Sequence, residues 1–171
     1  MNKQEIGKVL SEIVGSENVR IDESMAKHTT FKIGGNADIF TKASTPNQIK
    51  EILNLKLGEP ITLIGNGSNV LVKDNGIRGI VIKYNANDIK INGNTVNVDA
   101  GAMNGVLAKK LAEEGLSGYE FASGIPGTVG GAIYMNAGAY GKEISEIIEN
   151  VSYIDLEDNT IHTLNKDQCE F

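Results

Sequence analysis

The order of hydrophobic patterns along the chain predicts an α+β fold. Two segments, residues 3–14 and 45–57, carry apolar residues at helical spacing. Residues 88–99 and 151–164 instead alternate apolar and polar around turn-forming residues, as hairpins do. Residues 118–141 follow neither period and are rich in Gly and Ala and poor in charge. A doubly wound parallel sheet would need regular strand–helix–strand alternation, which this order does not provide.

The elements follow in chain order. Ile6, Val9, Leu10 and Ile13 lie on one helical face, and Gly15 supplies the stop. A polar link leads to Thr29, Thr30 and Phe31, then to Gly34-Gly35 and a strand over residues 37–41. Thr45 is a natural N-cap, Pro46 suits the first helical position, and Gln48 completes a capping box. Ile49, Ile52, Leu53 and Leu57 form the buried face of that helix, which Gly58 ends. After Pro60 a short apolar strand, residues 61–64, runs into Gly65-Asn66-Gly67-Ser68-Asn69, and a second apolar strand resumes at residues 70–72. Residues 79–83 read as a further strand. Ile89, Ile91, Val96 and Val98 alternate around Asn92-Gly93-Asn94. Met103, Val106, Leu107 and Leu111 line a helix that stops at Gly115. A last hairpin pairs residues 151–154 with 160–164 through Glu157, Asp158 and Asn159. The change of character near Gly58 and Pro60 predicts two lobes, residues 1–58 and 59–171.

The totals narrow the function classes. A chain of 171 residues with 40% hydrophobic content is long enough for one full core or two small ones. A net charge of −6 argues against a general affinity for nucleic acid or anionic membrane, while leaving room for a local phosphate site. The single cysteine, Cys169, cannot form an intramolecular disulfide, and no signal-like segment or spanning apolar run is visible. A cytoplasmic location is expected. His28, His162 and Cys169 have no ligand-like spacing, so no metal site is expected. Glu143, Glu146 and Glu149 read as the solvated face of a short helix.

Twenty glycines against three prolines is the unusual total, and two clusters account for its interest. In Gly65-Asn66-Gly67-Ser68-Asn69, successive backbone N–H groups can form a concave anion site, with Ser68 and Asn69 adding side-chain donors. The run lacks the Gly-Lys-Ser/Thr of a Walker loop, and Val70 stands where a dinucleotide fingerprint needs its third glycine. Its bland alternative is a turn that needs positive φ. The second cluster is Ser123-Gly124-Ile125-Pro126-Gly127-Thr128-Val129-Gly130-Gly131. Here Ile125-Pro126 fixes a rigid turn, and residues 130–132 offer a helix start with N–H groups aimed at phosphate. Each glycine inside a helix or strand costs roughly 0.5–1 kcal/mol against alanine, so packing alone is a weak reason for so many. Asn136, Gly138, Ala139, Tyr140 and Gly141 extend the same charge-poor surface. Neither cluster holds a lysine or arginine. Together they suggest a diphosphate held by backbone dipoles, hence a dinucleotide, with flavin favoured by the absence of a Rossmann unit.

Three motifs carry a resemblance. His28-Thr29-Thr30-Phe31-Lys32-Ile33-Gly34-Gly35, then Ile64-Gly65-Asn66-Gly67-Ser68-Asn69-Val70-Leu71, and residues 123–131 followed by Tyr134-Met135-Asn136-Ala137-Gly138-Ala139-Tyr140-Gly141 resemble the bacterial UDP-N-acetylenolpyruvoylglucosamine reductases. These are also called UDP-N-acetylmuramate dehydrogenases. The middle motif is shared with the wider FAD oxidases and dehydrogenases of the vanillyl-alcohol-oxidase (PCMH) type. The resemblance implies a two-lobed FAD-binding domain without the C-terminal substrate domain. It implies an enzyme in which NADPH reduces FAD and the flavin reduces the enolpyruvyl group of a UDP-sugar, giving UDP-N-acetylmuramate for peptidoglycan. By position, residues 65–69 and 123–131 would bind the FAD diphosphate and residues 136–141 would lie near the flavin ring. The family's catalytic arginine, serine and late glutamate would fall after Phe171, so no catalytic residue is assigned and the chain alone is expected to be inactive. Another flavoenzyme of the same fold and a non-catalytic nucleotide-binding module remain the rival readings.

Overall fold

The computed structural model describes residues 1–171, which form two compact units, Met1–Asn85 and Ala86–Phe171. Both mix helices and strands, as an α+β fold requires.

The first unit holds helices α1 (Lys3–Val14) and α2 (Pro46–Asn54) and strands β1 (Val19–Ser24), β2 (Asn36–Ala43), β3 (Ile61–Ile64) and β4 (Ile77–Tyr84). The strands make one sheet in the order β1-β2-β4-β3. β1 is antiparallel to β2, whereas β4 runs parallel to both β2 and β3. The predicted boundary at Gly58–Pro60 does not divide the structure. β3 follows it directly and hydrogen-bonds to β4 in the same sheet as β2, so the separation falls after Asn85.

α1 starts with a reciprocal capping box between Asn2 and Glu5 and buries Ile6, Leu10 and Val14. In α2 the Thr45 side chain accepts from the Gln48 N–H, as expected, but the Gln48 carbonyl reaches Ser44 N–H and its amide donates to the Ile13 carbonyl. The helix ends at Asn54, short of Gly58, because Lys56 takes the left-handed conformation (φ 45°) that terminates it. Residues 70–72, expected as a strand, pair with no strand. Val72 is buried against Met25, Ala37, Phe40, Ile64 and Val81, one core of this unit. β1 has the alternation of Val19 and Ile21 with charged neighbours, a strand the sequence reading passes over as a polar link.

The second unit contains the β5–β6 hairpin (Ile89–Asn92 and Thr95–Val98), α3 (Asn104–Glu113), α4 (Val129–Tyr134), a two-residue pair β7–β8 (Gly138–Ala139 and Lys142–Glu143), and the hairpin β9–β10 (Asn150–Ile154 and Ile161–Asn165). Both long hairpins lie where the alternation predicts them. The core gathers Ile89, Leu107, Leu111, Phe121, Val129 and Ile144 around the glycine-rich segment. No helix is long and apolar enough to cross a membrane.

Candidate functional site

The first glycine loop, residues 65–69, leaves the C-terminal end of β3. Gly67 has φ +66° and is buried, and a Cβ built on it would lie 2.0 Å from the His28 carbonyl oxygen. Thr30 N–H donates to the Gly67 carbonyl at 3.1 Å. The same interlock recurs further on: a Cβ on Gly35 would meet the Asp74 carbonyl at 2.0 Å, and one on Gly76 the Asn36 carbonyl at 1.9 Å. The resembling motif 28–35 is therefore the backbone buttress of the loop. His28 itself stacks on Phe40 with ring centroids 4.0 Å apart, and its Nε2 lies 3.0 Å from Glu23 Oε1. Desolvation pushes the Glu23 carboxyl up, but hydrogen bonds from His28 and Lys27 outweigh it, and its pKa ends below the usual value.

What remains unused in this loop is a set of donors. No backbone N–H of residues 65–69 donates to another group of the chain. The Ser68 hydroxyl is buried without a hydrogen-bond partner. Asn66 Oδ1 accepts from Lys83 Nζ at 3.3 Å, so a cation does attend the loop, brought from β4 rather than from neighbouring sequence. A buried hydroxyl such as that of Ser68 is ordinarily satisfied, and an anion could satisfy it together with the free loop N–H groups.

The second loop is built differently. Its turn is held by Asn104, fully buried, whose backbone N–H donates to the Gly127 carbonyl at 3.1 Å and whose side chain donates to the Ile125 carbonyl at 3.3 Å. Gly127 takes φ +116°. Ser123 and Gly124 are exposed, the Ser123 hydroxyl donates to the Glu120 carbonyl at 2.7 Å, and a Cβ on Gly124 would meet nothing within 4 Å. The expectation of a helix start with open N–H groups at residues 130–132 is corrected by the structure. Val129 N–H donates to Ala102 O, Gly130 N–H to Ala100 O, Gly131 N–H to Thr128 Oγ1 and Ala132 N–H to Thr128 O. Gly130 is glycine for packing, since a Cβ would sit 2.7 Å from the Ala100 side chain. The donors left over in this loop are the N–H groups of Gly127 and Thr128 beside Pro126.

The third segment is a sharp turn. Tyr140 and Gly141 join β7 to β8 with φ +56° and +80°, and Tyr140 is 94% exposed. Left-handed backbone under a tyrosine is uncommon and marks a site worth explaining. Asn136 is also left-handed (φ 41°), and its Oδ1 accepts from Ser145 N–H at 3.0 Å, which ties the turn to the core beside Ile144. Gly138 packs on Glu143, while Ala139 and Gly141 complete the hairpin.

Sequence reasoning missed two contributors, Asn104 and Lys83. Asn104, whose Oδ1 accepts from the buried Tyr119 hydroxyl at 3.0 Å, acts through burial, which spacing does not reveal. Lys83 acts through strand register. Asp155, Asp158 and His162 also come together, with potential ligand atoms within 4.8 Å of one another. Their geometry is accounted for by the hairpin turn. Hydrogen bonds from the Thr160 hydroxyl and N–H, then from His162, bring the Asp158 carboxyl down to about 2.

Comparison with known proteins places these loops in a family. Residues 37–165 match the FAD binding domain family. The chain is 47% identical over 175 residues to the UDP-N-acetylenolpyruvoylglucosamine reductase of Clostridioides difficile, covering 100% of this chain and 57% of that protein. It is 44% identical to the Bacillus subtilis protein of the same name, covering 100% of this chain and 54% of that one. A crystal structure of the Thermus caldophilus reductase superposes with TM-score 0.74 at 31% identity, over 87% of this chain and 53% of that chain. p-Cresol methylhydroxylase, at 17% identity and TM-score 0.69, shares the fold over 94% of this chain and 35% of its own. The chain thus spans a little over half the length of the curated relatives it matches. With more than half of its residues matched, the chain belongs to the FAD binding domain family.

Proposed function

We propose that the chain is the FAD-binding part of an NADPH-dependent cytoplasmic reductase that converts UDP-N-acetylglucosamine enolpyruvate to UDP-N-acetylmuramate for peptidoglycan. The observation that carries this reading is 47% identity to a reductase of that name along the whole chain, a span that includes all three glycine motifs. In the first unit, the N–H groups of Gly65, Asn66, Gly67, Ser68 and Asn69 and the buried Ser68 hydroxyl would serve phosphate oxygens. In the second unit, the Gly127 and Thr128 N–H groups would do so, on a turn shaped by Ser123, Gly124, Ile125 and Pro126 and backed by Gly130 and Gly131. Asn136, Gly138, Ala139, Tyr140 and Gly141 would lie along the flavin ring, with exposed Tyr140 as its apolar cover.

FAD held by these residues would supply the hydride-transfer chemistry of an NADPH-dependent reductase. The chain's own residues bind and orient. The arginine, serine and glutamate that the family resemblance implies for charge stabilisation and proton delivery have no counterpart among these 171 residues, so this chain alone is proposed to bind FAD without turning substrate over. Titration of FAD, followed by flavin fluorescence, tests the first half and should saturate. NADPH oxidation coupled to the enolpyruvyl UDP-sugar tests the second. It should be absent for this chain and present when the relatives' remaining length is appended. Coupled turnover by the 171-residue chain itself would overturn the division of labour.

A further inference from the structure

Lys83 lies near the end of β4, and the parallel register sets it beside Ile64, the residue that opens the glycine loop, and beside Lys42 of β2. Its side chain is half-buried, its one hydrogen bond goes to the neutral Asn66 Oδ1 at 3.3 Å, and no carboxylate faces it. Burial first, and the like charge of Lys42 second, hold its pKa below the usual lysine value. Elsewhere in this unit cations are paired with carboxylates: Lys3 with Asp22 and Asp38, Lys27 with Glu23, and Arg78 with Asp38. A half-buried ammonium with only a neutral acceptor is an unfavourable arrangement unless an anion completes it. The loop it touches has the same deficiency, with a partnerless buried hydroxyl at Ser68 and N–H groups at 65–69 that donate to nothing in the chain.

We infer that Lys83 is the counter-charge for a phosphate group held by the 65–69 loop, a charged partner in a motif that otherwise binds through backbone. A lysine suits this role because its ammonium is a point charge on a flexible stem, able to leave Asn66 for a phosphate oxygen. The inference rests on the FAD-binding reading above and assigns one residue outside the glycine motifs to it. The competing role is purely structural, with Lys83 bracing Asn66 and never meeting a ligand.

The test uses the full 171-residue chain and compares wild type with Lys83→Gln, which keeps a donor without charge, and Lys83→Arg, which keeps the charge. FAD, riboflavin (which lacks the phosphates) and inorganic pyrophosphate are titrated at several salt concentrations. Lys83→Gln should bind FAD about tenfold more weakly, the scale of one charge-assisted hydrogen bond. It should also flatten the salt dependence, leave riboflavin unchanged, and unfold at the wild-type urea midpoint; Lys83→Arg should restore affinity and salt slope. Equal FAD affinity and salt slope in wild type and Lys83→Gln would overturn the counter-charge role while leaving FAD binding intact. So would a Lys83→Arg variant as weak as Lys83→Gln. A wild-type chain that binds pyrophosphate through Lys83 but not FAD would uphold the phosphate assignment and remove the FAD reading. Binding of neither would overturn both.

Discussion

The Tyr119 hydroxyl donates to Asn104 Oδ1 at 3.0 Å, and through Asn104 it holds the glycine turn of the second unit. Asn104 grips that turn on both sides of Pro126, by its side chain at the Ile125 carbonyl and by its backbone at the Gly127 carbonyl. Both residues are buried, so neither the amide nor the phenol can exchange its partner for water. The turn that presents the Gly127 and Thr128 N–H groups is therefore shaped from beneath by a two-residue polar network in an apolar core.

Asn104→Ala should cost about 2–3 kcal/mol, because it strands the Tyr119 hydroxyl and the Ile125 carbonyl as well as opening a void. Tyr119→Phe should cost about 1 kcal/mol, leaving one side-chain acceptor unmet. The double variant should fall short of the sum, since the two changes remove the same bond. Urea midpoints for the four chains check this, and additive costs would mean that the two side chains do not act together.

Burial raises the Tyr119 pKa from 10.0 to about 12. A folded pKa above the unfolded one means that the unfolded chain releases its proton first. The stabilisation is complete below pH 10, declines between pH 10 and about 12, and is gone above the folded value. Ultraviolet titration of the phenolates should show a late transition near pH 12, and Tyr119→Phe should remove it. A late transition that survives in Tyr119→Phe would assign it to another tyrosine.

The helices and hairpins were legible because their signals are local. Thr45, Pro46 and the period of Ile49 and Ile52 specify α2 within a dozen residues, and Asn92-Gly93-Asn94 does the same for the β5–β6 turn. The positions of the glycine loops were legible for the same reason. The purpose of individual glycines was not. Gly67, Gly35, Gly76 and Gly130 each leave room for backbone or side chain brought from elsewhere in the same unit, so their requirement is set by tertiary contact. Lys83 and Asn104 escaped notice because strand register and burial, neither local in sequence, bring them to the loops. The boundary was misplaced because Gly58 and Pro60 mark a loop inside a sheet whose pairing is parallel and non-local.

That distinction separates two glycine substitutions that look alike in sequence. Gly67→Ala places a Cβ 2.0 Å from the His28 oxygen at φ +66° and should destabilise the chain by about 2 kcal/mol or more. Gly124→Ala meets open space without a positive φ and should leave the urea midpoint within about 0.5 kcal/mol of wild type. Any loss of FAD affinity in Gly124→Ala then reports ligand contact alone, whereas loss in Gly67→Ala mixes folding with binding. A large destabilisation by Gly124→Ala would show that this glycine serves packing after all.

Thr41 makes the opposite case, a polar group whose removal should help. It sits on β2 between Val19 of β1 and Ile82 of β4, fully buried, and its hydroxyl has no hydrogen-bond partner. An unmet buried hydroxyl is destabilising, while the β-branched shape that suits the strand is shared by valine. Thr41→Val should therefore raise stability by about 1 kcal/mol, seen as a higher urea midpoint with an unchanged denaturant slope. FAD affinity should stay at the wild-type value, because the residue lies within the sheet rather than on either glycine loop. A lower midpoint would mean that the hydroxyl does find an acceptor in solution, and that the centre of this sheet is held by a polar contact as well as by Phe40, Val81 and their apolar neighbours.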